Sequence, residues 1–151
     1  MPARDVMDPQ PTVLRSTDTI EDAVHHVMQN RYRNLPVVDH KGCYLGVFGV
    51  NHLLKMLMPK AVVMERGLTS APFVHGTLQE MRRKFDEVKG CVITDCIDPQ
   101  ETVYPDTSTL EALLILYRTR SSVPVIDRQT GCLVGMISYW DVGERVLGIE
   151  P

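Results

Sequence analysis

The chain repeats itself, and a repeat of this length constrains the fold more than any other feature of the sequence. Leu35-Pro36-Val37-Val38-Asp39 recurs as Val123-Pro124-Val125-Ile126-Asp127. Gly42-Cys43-Tyr44-Leu45-Gly46-Val47-Phe48 recurs, about ninety residues on, as Gly131-Cys132-Leu133-Val134-Gly135-Met136-Ile137. Upstream, Asp18-Thr19-Ile20-Glu21 matches Ser108-Thr109-Leu110-Glu111, and Thr12-Val13 matches Thr102-Val103.

Each unit has the same order of elements. A short extended segment (12–14; 102–104) leads to a helix carrying Ile20, Ala23, Val24, Val27 and Met28, or Leu110, Leu113, Leu114 and Tyr117, at helical spacing. The start signals put an acceptor at the cap, Asp18 or Ser108, and Glu21 or Glu111 at the third helical position. Two strands follow. The first (35–38; 123–126) is all apolar, which implies burial on both faces, and an Asp-plus-Gly turn joins it to the second. A closing helix begins near Asn51 or Ser138, and the second one ends at Gly148. A β-α-β-β-α unit of about fifty residues buries too little surface to stand alone. The expected fold is therefore α/β (α+β), with two such repeats packed sheet to sheet about an approximate two-fold.

The stretch between the repeats, roughly 53–95, is longer than a linker needs. Residues 53–58 should extend the first closing helix until Pro59 stops it. Thr77-x-x-Glu80 is a capping box for a second helix with Leu78, Met81, Phe85 and Val88 on one face, suited to core packing or a subunit contact. Residues 61–76 read as a loop that could cover a cleft. The expected division is repeat 1 over 1–58, an insertion with one helix over 59–93, and repeat 2 over 94–151.

Charge and motifs exclude several functions. A net charge of −3 on 151 residues gives no basic field for nucleic acid. Arg82-Arg83-Lys84 reads as a solvated helix face. No apolar run approaches the about eighteen residues that span a bilayer, and the polar start at Arg4 and Asp5 does not open a signal peptide, so the expected location is the cytoplasm. The four cysteines, Cys43, Cys91, Cys96 and Cys132, form no C-x-x-C pair and read as reduced, mostly buried thiols, and no metal site is expected. His25 and His26 are helix neighbours pointing about 100° apart and cannot share a metal as an i, i+4 pair does. No nucleophile elbow, P-loop, dinucleotide fingerprint or zinc-protease motif is present, so an enzyme is not expected.

The stretch Gly135-Met136-Ile137-Ser138-Tyr139-Trp140-Asp141 lies where a strand stops and a helix starts. Ser138 and Asp141 there form a capping box at the least. The same hydroxyl and carboxylate also suit a sugar diol carrying a phosphate, because a carboxylate accepts from two hydroxyls and a helix N-terminus favours an anion.

The apolar-Pro-Val-apolar-Asp strand, the Gly turn and the Gly-x-x-Ser-x-x-Asp ending together resemble the cystathionine-β-synthase (CBS) domain, and two in tandem resemble a Bateman module. The resemblance covers nearly all the chain except its middle. It implies a non-catalytic regulatory module that binds an adenosine-containing ligand, AMP, ADP or ATP, and commonly forms a homodimer that a downstream protein senses. Related modules also accept S-adenosylmethionine or NAD. The resemblance places ribose at Ser138 and Asp141, phosphate at Arg120, Ser121 and Ser122 with Arg33 and Asn34 of repeat 1, and adenine near Val6, Met7, Val123 and Pro124. In repeat 1, Gly49 replaces the hydroxyl and His52 the carboxylate. With charge-assisted hydrogen bonds at about 1.5–3 kcal/mol each, that site is expected to be weak or empty. The remaining alternative is a constitutive dimerisation scaffold in which Ser138 and Asp141 only cap a helix.

Overall fold

The computed structural model describes residues 1–58 and 78–150. Repeat 1 runs β1 (Leu14–Arg15), α1 (Ile20–Asn30), β2 (Asn34–Val38), β3 (Tyr44–Gly49) and α2 (Val50–Leu57). Between the repeats lies α3 (Leu78–Val88). Repeat 2 contributes α4 (Thr109–Thr119), β4 (Val123–Ile126), β5 (Leu133–Ile137) and α5 (Tyr139–Asp141), which continues into a π-helical turn over Val142–Val146. The stop at Pro59, the cap at Thr77 and the loop over 61–76 lie outside the described residues.

The two units repeat in register as well as in order. β1 pairs parallel with β2, and β2 pairs antiparallel with β3 through Leu35 opposite Phe48. β4 pairs antiparallel with β5 through Val123 opposite Ile137, and Val103 makes one parallel bridge to Val125 where β1 stands in repeat 1. A register shift falls at the same place in both hairpins, between Val37 and Val38 and between Val125 and Ile126. Of the expected opening strands, 12–14 is replaced by a strand at Leu14–Arg15, and 102–104 is reduced to the single bridge of Val103.

Three local expectations are corrected by the packing. The cap of α1 is Thr19, whose hydroxyl accepts from Asp22 N–H in a reciprocal capping box, while Asp18 instead accepts from Arg15 N–H at 2.9 Å. The buried face of α4 is Thr109, Ala112, Ile115 and Leu116, which leaves Leu110, Leu114 and Tyr117 exposed. The cysteines are not mostly buried either: Cys91 is exposed and the other three are half-buried.

Each core is completed by chain from outside its own repeat. Ala3 and Val6 pack with Val103, Ala112, Ile115, Leu116, Val123, Val125 and Ile137, in the core of repeat 2. Reciprocally, Ile93 packs with Leu14, Ile20, Val27, Leu35, Val37 and Phe48, and Phe85 and Val88 of α3 join it against repeat 1. Backbone hydrogen bonds follow the same exchange. Asp8 and Met136 bond each other's backbone, as do Asp98 and Val47. The first N–H groups of α1, otherwise without intrahelical acceptors, donate to Cys91 O and Lys89 O, and Thr109 N–H at the start of α4 donates to Met1 O. Each strand crossing occurs over a glycine: a Cβ on Gly46 would lie 2.8 Å from Asp98 O, and one on Gly135 would lie 2.9 Å from Asp8 O.

The repeats also meet directly. At the start of β2, Asn34 Nδ2 donates to Ser121 Oγ. At the far end, the two hairpin turns pair with each other through Tyr44 N–H to Gly131 O and Leu133 N–H to Gly42 O. Both turns are built alike: Asp39 accepts from Lys41 and Cys43 N–H, and Asp127 from Gln129 and Thr130 N–H. These bonds hold both carboxyls below the usual aspartate range.

Candidate functional site

Two contiguous clefts open where α1 and α4 end and β2 and β4 begin. The one at repeat 1 has a volume of about 840 Å³ and is bounded by Arg31, Arg33, Asn34, His52, Asp98 and Arg120, among others. The one at repeat 2 has about 240 Å³ and is bounded by Arg31, Arg33, Arg120, Ser121, Ser122, Ser138, Tyr139 and Trp140. Arg31, Tyr32, Arg33, Asn34, Arg120 and Ser121 are common to both.

Helix ends place the cations. Arg31 closes α1 at φ 55° and Arg120 closes α4 at φ 57°. Glycine normally takes this left-handed position, and an arginine there costs about 1 kcal/mol. No other non-glycine residue has positive φ among the described residues. Both repeats therefore carry a guanidinium where local backbone preference asks for no side chain, and both border the clefts.

Of the expected phosphate ligands, Arg33, Arg120, Ser121, Ser122 and Asn34 come together here. The expected ribose ligands are arranged differently. Ser138 borders the smaller cleft, and Asp141 lies behind it, only 7 % exposed. Ser138 N–H and Ser138 Oγ–H both donate to Asp141 Oδ2, at 2.8 and 2.9 Å. Both of these bonds end on one carboxylate oxygen, while Asp141 N–H donates back to Ser138 Oγ at 3.5 Å. Burial pushes the Asp141 carboxyl above the usual range, against the opposing pull of the Ser138 bonds and of Arg145. Of the expected adenine contacts, Val6, Val123 and Pro124 are buried in the core, and Met7 is half-buried over Gly135. Arg145 donates to the carbonyls of Val6 and Met7 and so ties the final turn to the exchanged segment.

At repeat 1, Gly49 forms the N-cap of α2 without a side-chain bond. His52 Nδ1 lies 2.9 Å from Asp98 Oδ2. The motif position without a carboxylate is thus paired with a carboxylate that arrives on the exchanged segment of repeat 2.

Among the cleft residues that escape the motif-based reading are Arg31, Tyr32, Asp98, Tyr139 and Trp140. Arg31 is hidden because repeat 1 has one extra residue between its helix end and its Pro-Val strand. Aligning the helices on Thr19 and Ser108 instead sets Arg31 against Arg120. The aromatic pair was visible inside the Ser138-to-Asp141 motif, and its rings, 54 % and 77 % exposed, offer stacking surface at the cleft mouth.

No helix among the described residues is long and apolar enough to cross a membrane. By sequence, the chain is 40 % identical over 142 residues to the Arabidopsis thaliana CBS domain-containing protein CBSX2, chloroplastic, covering 91 % of this chain and 59 % of that protein. It thus spans less than two thirds of that relative. Among solved structures, CBSX2 from Arabidopsis thaliana superposes with a TM-score of 0.73 at 22 % identity, over 97 % of this chain and 94 % of that one. CBSX2 in complex with AMP superposes at 0.70 and 22 % identity, over 99 % and 98 %. A putative acetoin utilization protein (AcuB) from Vibrio cholerae gives 0.72 at 18 % identity, over 100 % and 98 %. The CBS domain family model matches residues 3–59 and 78–148, the two repeats that share a cleft and exchange their opening segments, and the chain belongs to the CBS domain family.

Proposed function

We propose that this chain is a non-catalytic regulatory module that binds an adenosine-containing ligand, AMP, ADP or ATP, in the cleft between its CBS repeats. Occupancy is passed as a homodimer to a partner protein. The observation that carries this is the gathering of Arg31, Arg33 and Arg120 around contiguous clefts in a chain of net charge −3. Two of these arginines hold left-handed backbone, where a helix end by itself favours glycine. The AMP complex of the related CBSX2 supports the adenine nucleotide.

In this reading, phosphate meets Arg33, Arg120, Ser121 and Ser122, with Arg31 and Asn34 beside them. Ribose meets Ser138 and the oxygen of Asp141 that the cap leaves unused, and the base lies toward the backbone of Val6, Met7, Val123 and Pro124, whose side chains are buried or half-buried. S-adenosylmethionine and NAD share the adenosine and are the alternative ligands. The repeat 1 cleft competes as the location. At about 840 Å³ it falls within the about 300–1,000 Å³ of small-molecule sites, and Asp98 supplies a carboxylate there.

A melt of the purified chain with each ligand tests the proposal. At a ligand concentration of about a hundred times Kd, linkage adds about 2.7 kcal/mol, or a Tm rise on the order of 5–10 °C. A specific observation favours the rival scaffold: Asp141 Oδ2 is already used in the capping box of Ser138, while Leu110, Leu114 and Tyr117 form an exposed apolar stripe on α4. If no adenosine ligand moves the melt, the scaffold stands and the sensor falls.

Arg120→Gly separates binding from folding. Relieving the left-handed backbone should leave the unliganded Tm unchanged or raise it by a few degrees. Losing one charge-assisted phosphate contact should weaken nucleotide binding about tenfold by calorimetry. Unchanged affinity would remove Arg120 from the site.

A further inference from the structure

The turns that join the repeats carry a cysteine each, and the backbone sets these two cysteines face to face. Cys43 and Cys132 form an antiparallel bridge, flanked by Tyr44 N–H to Gly131 O at 3.1 Å and Leu133 N–H to Gly42 O at 3.0 Å. That bonding pattern makes Cys43 and Cys132 the non-hydrogen-bonded pair, in which Cα atoms stand about 4.5 Å apart and both side chains leave the same face. A disulfide requires a Cα separation of about 4.4–6.8 Å. Each thiol also reaches over the partner turn, Cys43 Sγ to Thr130 O at 3.8 Å and Cys132 Sγ to Lys41 O at 3.6 Å. Neither side chain is buried, so a small oxidant can approach.

We propose that Cys43 and Cys132 form a reversible intrachain disulfide that fastens repeat 1 to repeat 2 at their hairpin turns, with a small disulfide such as oxidised glutathione as the oxidant. The Cys132 thiolate attacks one glutathione sulfur, forming a mixed disulfide and releasing one glutathione thiolate. The Cys43 thiolate then attacks the Cys132 sulfur, forming the protein disulfide and releasing the second. Two protein thiols are oxidised, one glutathione disulfide is reduced to two glutathione thiols, and the two thiol protons pass to the released thiolates. Burial, Asp39 and the neighbouring Cys132 all raise the Cys43 thiol above its usual range, which suits it to the second, intramolecular step where proximity offsets a small thiolate fraction. The bond lies at the ends of β2 and β4 remote from the clefts, whose own inter-repeat contact is Asn34 to Ser121.

The test equilibrates the full chain in buffers of falling ratio of reduced to oxidised glutathione, alkylates, and digests with trypsin without reduction. The expected product is a cross-link between tryptic peptides 42–55 and 129–145, with Cys91 and Cys96 still alkylated. Because the bond closes a loop of about 90 residues, the oxidised chain should melt on the order of 5–15 °C higher. Cys43→Ser should abolish this gain, and Cys91→Ser should retain it. Peptides that stay separate at every ratio, glutathione adducts alone, cross-links between chains, or a Cys91–Cys96 bond would each overturn the assignment.

Discussion

Asp141→Ala is expected to weaken binding at least tenfold and so to cut the nucleotide-induced rise in Tm by about half or more, while the unliganded protein melts within a few degrees of the parent. The two halves of this expectation have different causes. Both Ser138 bonds end on Oδ2 of Asp141, the proposed ribose contact would use the other oxygen, and each charge-assisted bond to a hydroxyl is worth about 1.5–3 kcal/mol. Losing the cap costs about 1 kcal/mol. Removing a carboxylate that burial disfavours offsets part of that cost. Calorimetry on Asp141→Ala, Asp98→Ala and His52→Ala locates the ligand. If Asp98→Ala and His52→Ala lose affinity while Asp141→Ala keeps it, the ligand occupies the larger cleft at repeat 1, with its carboxylate delivered by the exchanged segment. If every variant binds like the parent, neither carboxylate contacts the ligand and the proposed site is wrong.

Gly46→Ala is expected to destabilise the fold by about 2–4 kcal/mol, a fall in Tm on the order of 5–15 °C. The residue sits at φ 152°, and a Cβ would press to 2.8 Å from Asp98 O and 3.2 Å from Asp98 C, which are backbone atoms with no rotamer to yield. Relief requires moving the exchanged segment off β3. That breaks the bonds from Val47 N–H to Asp98 O (2.8 Å) and from Asp98 N–H to Val47 O (2.9 Å). Gly42→Ala is the control: φ is 83° but nothing lies within 4 Å of its added Cβ, so only about 1 kcal/mol of backbone strain applies. Equal urea midpoints for the two variants would show that the crossing at Gly46 is not tightly packed.

The order of elements was legible because each strand and helix is specified over a few residues. The Pro-Val strands need only an apolar run bounded by turn residues, and Ser108 caps α4 through Glu111 N–H as its spacing requires. Where two residues offer the same local signal, sequence alone chose wrongly. Asp18 and Thr19 are both good caps, and the choice fell to Thr19 because Asp18 closes the preceding turn on Arg15 N–H. On α4, Leu110, Leu114 and Tyr117 compete with Ala112, Ile115 and Leu116 for the core. The smaller set won, because Ala112 permits close approach to the sheet of repeat 2.

The doubled β-α-β-β-α unit, its turns and the Ser138-to-Asp141 cap were readable from residue order alone, since these depend on periodicity and on neighbours a few residues apart. The packing of distant segments, in contrast, set Ala3 and Val6 into the core of repeat 2 and Ile93 into that of repeat 1, and placed Asp98 against His52. It also brought Arg31 and Arg120 to one cleft and set Cys43 against Cys132. These pairings join residues tens of positions apart that carry no local signal of one another. They follow from burying each repeat's remaining apolar surface with chain from outside that repeat.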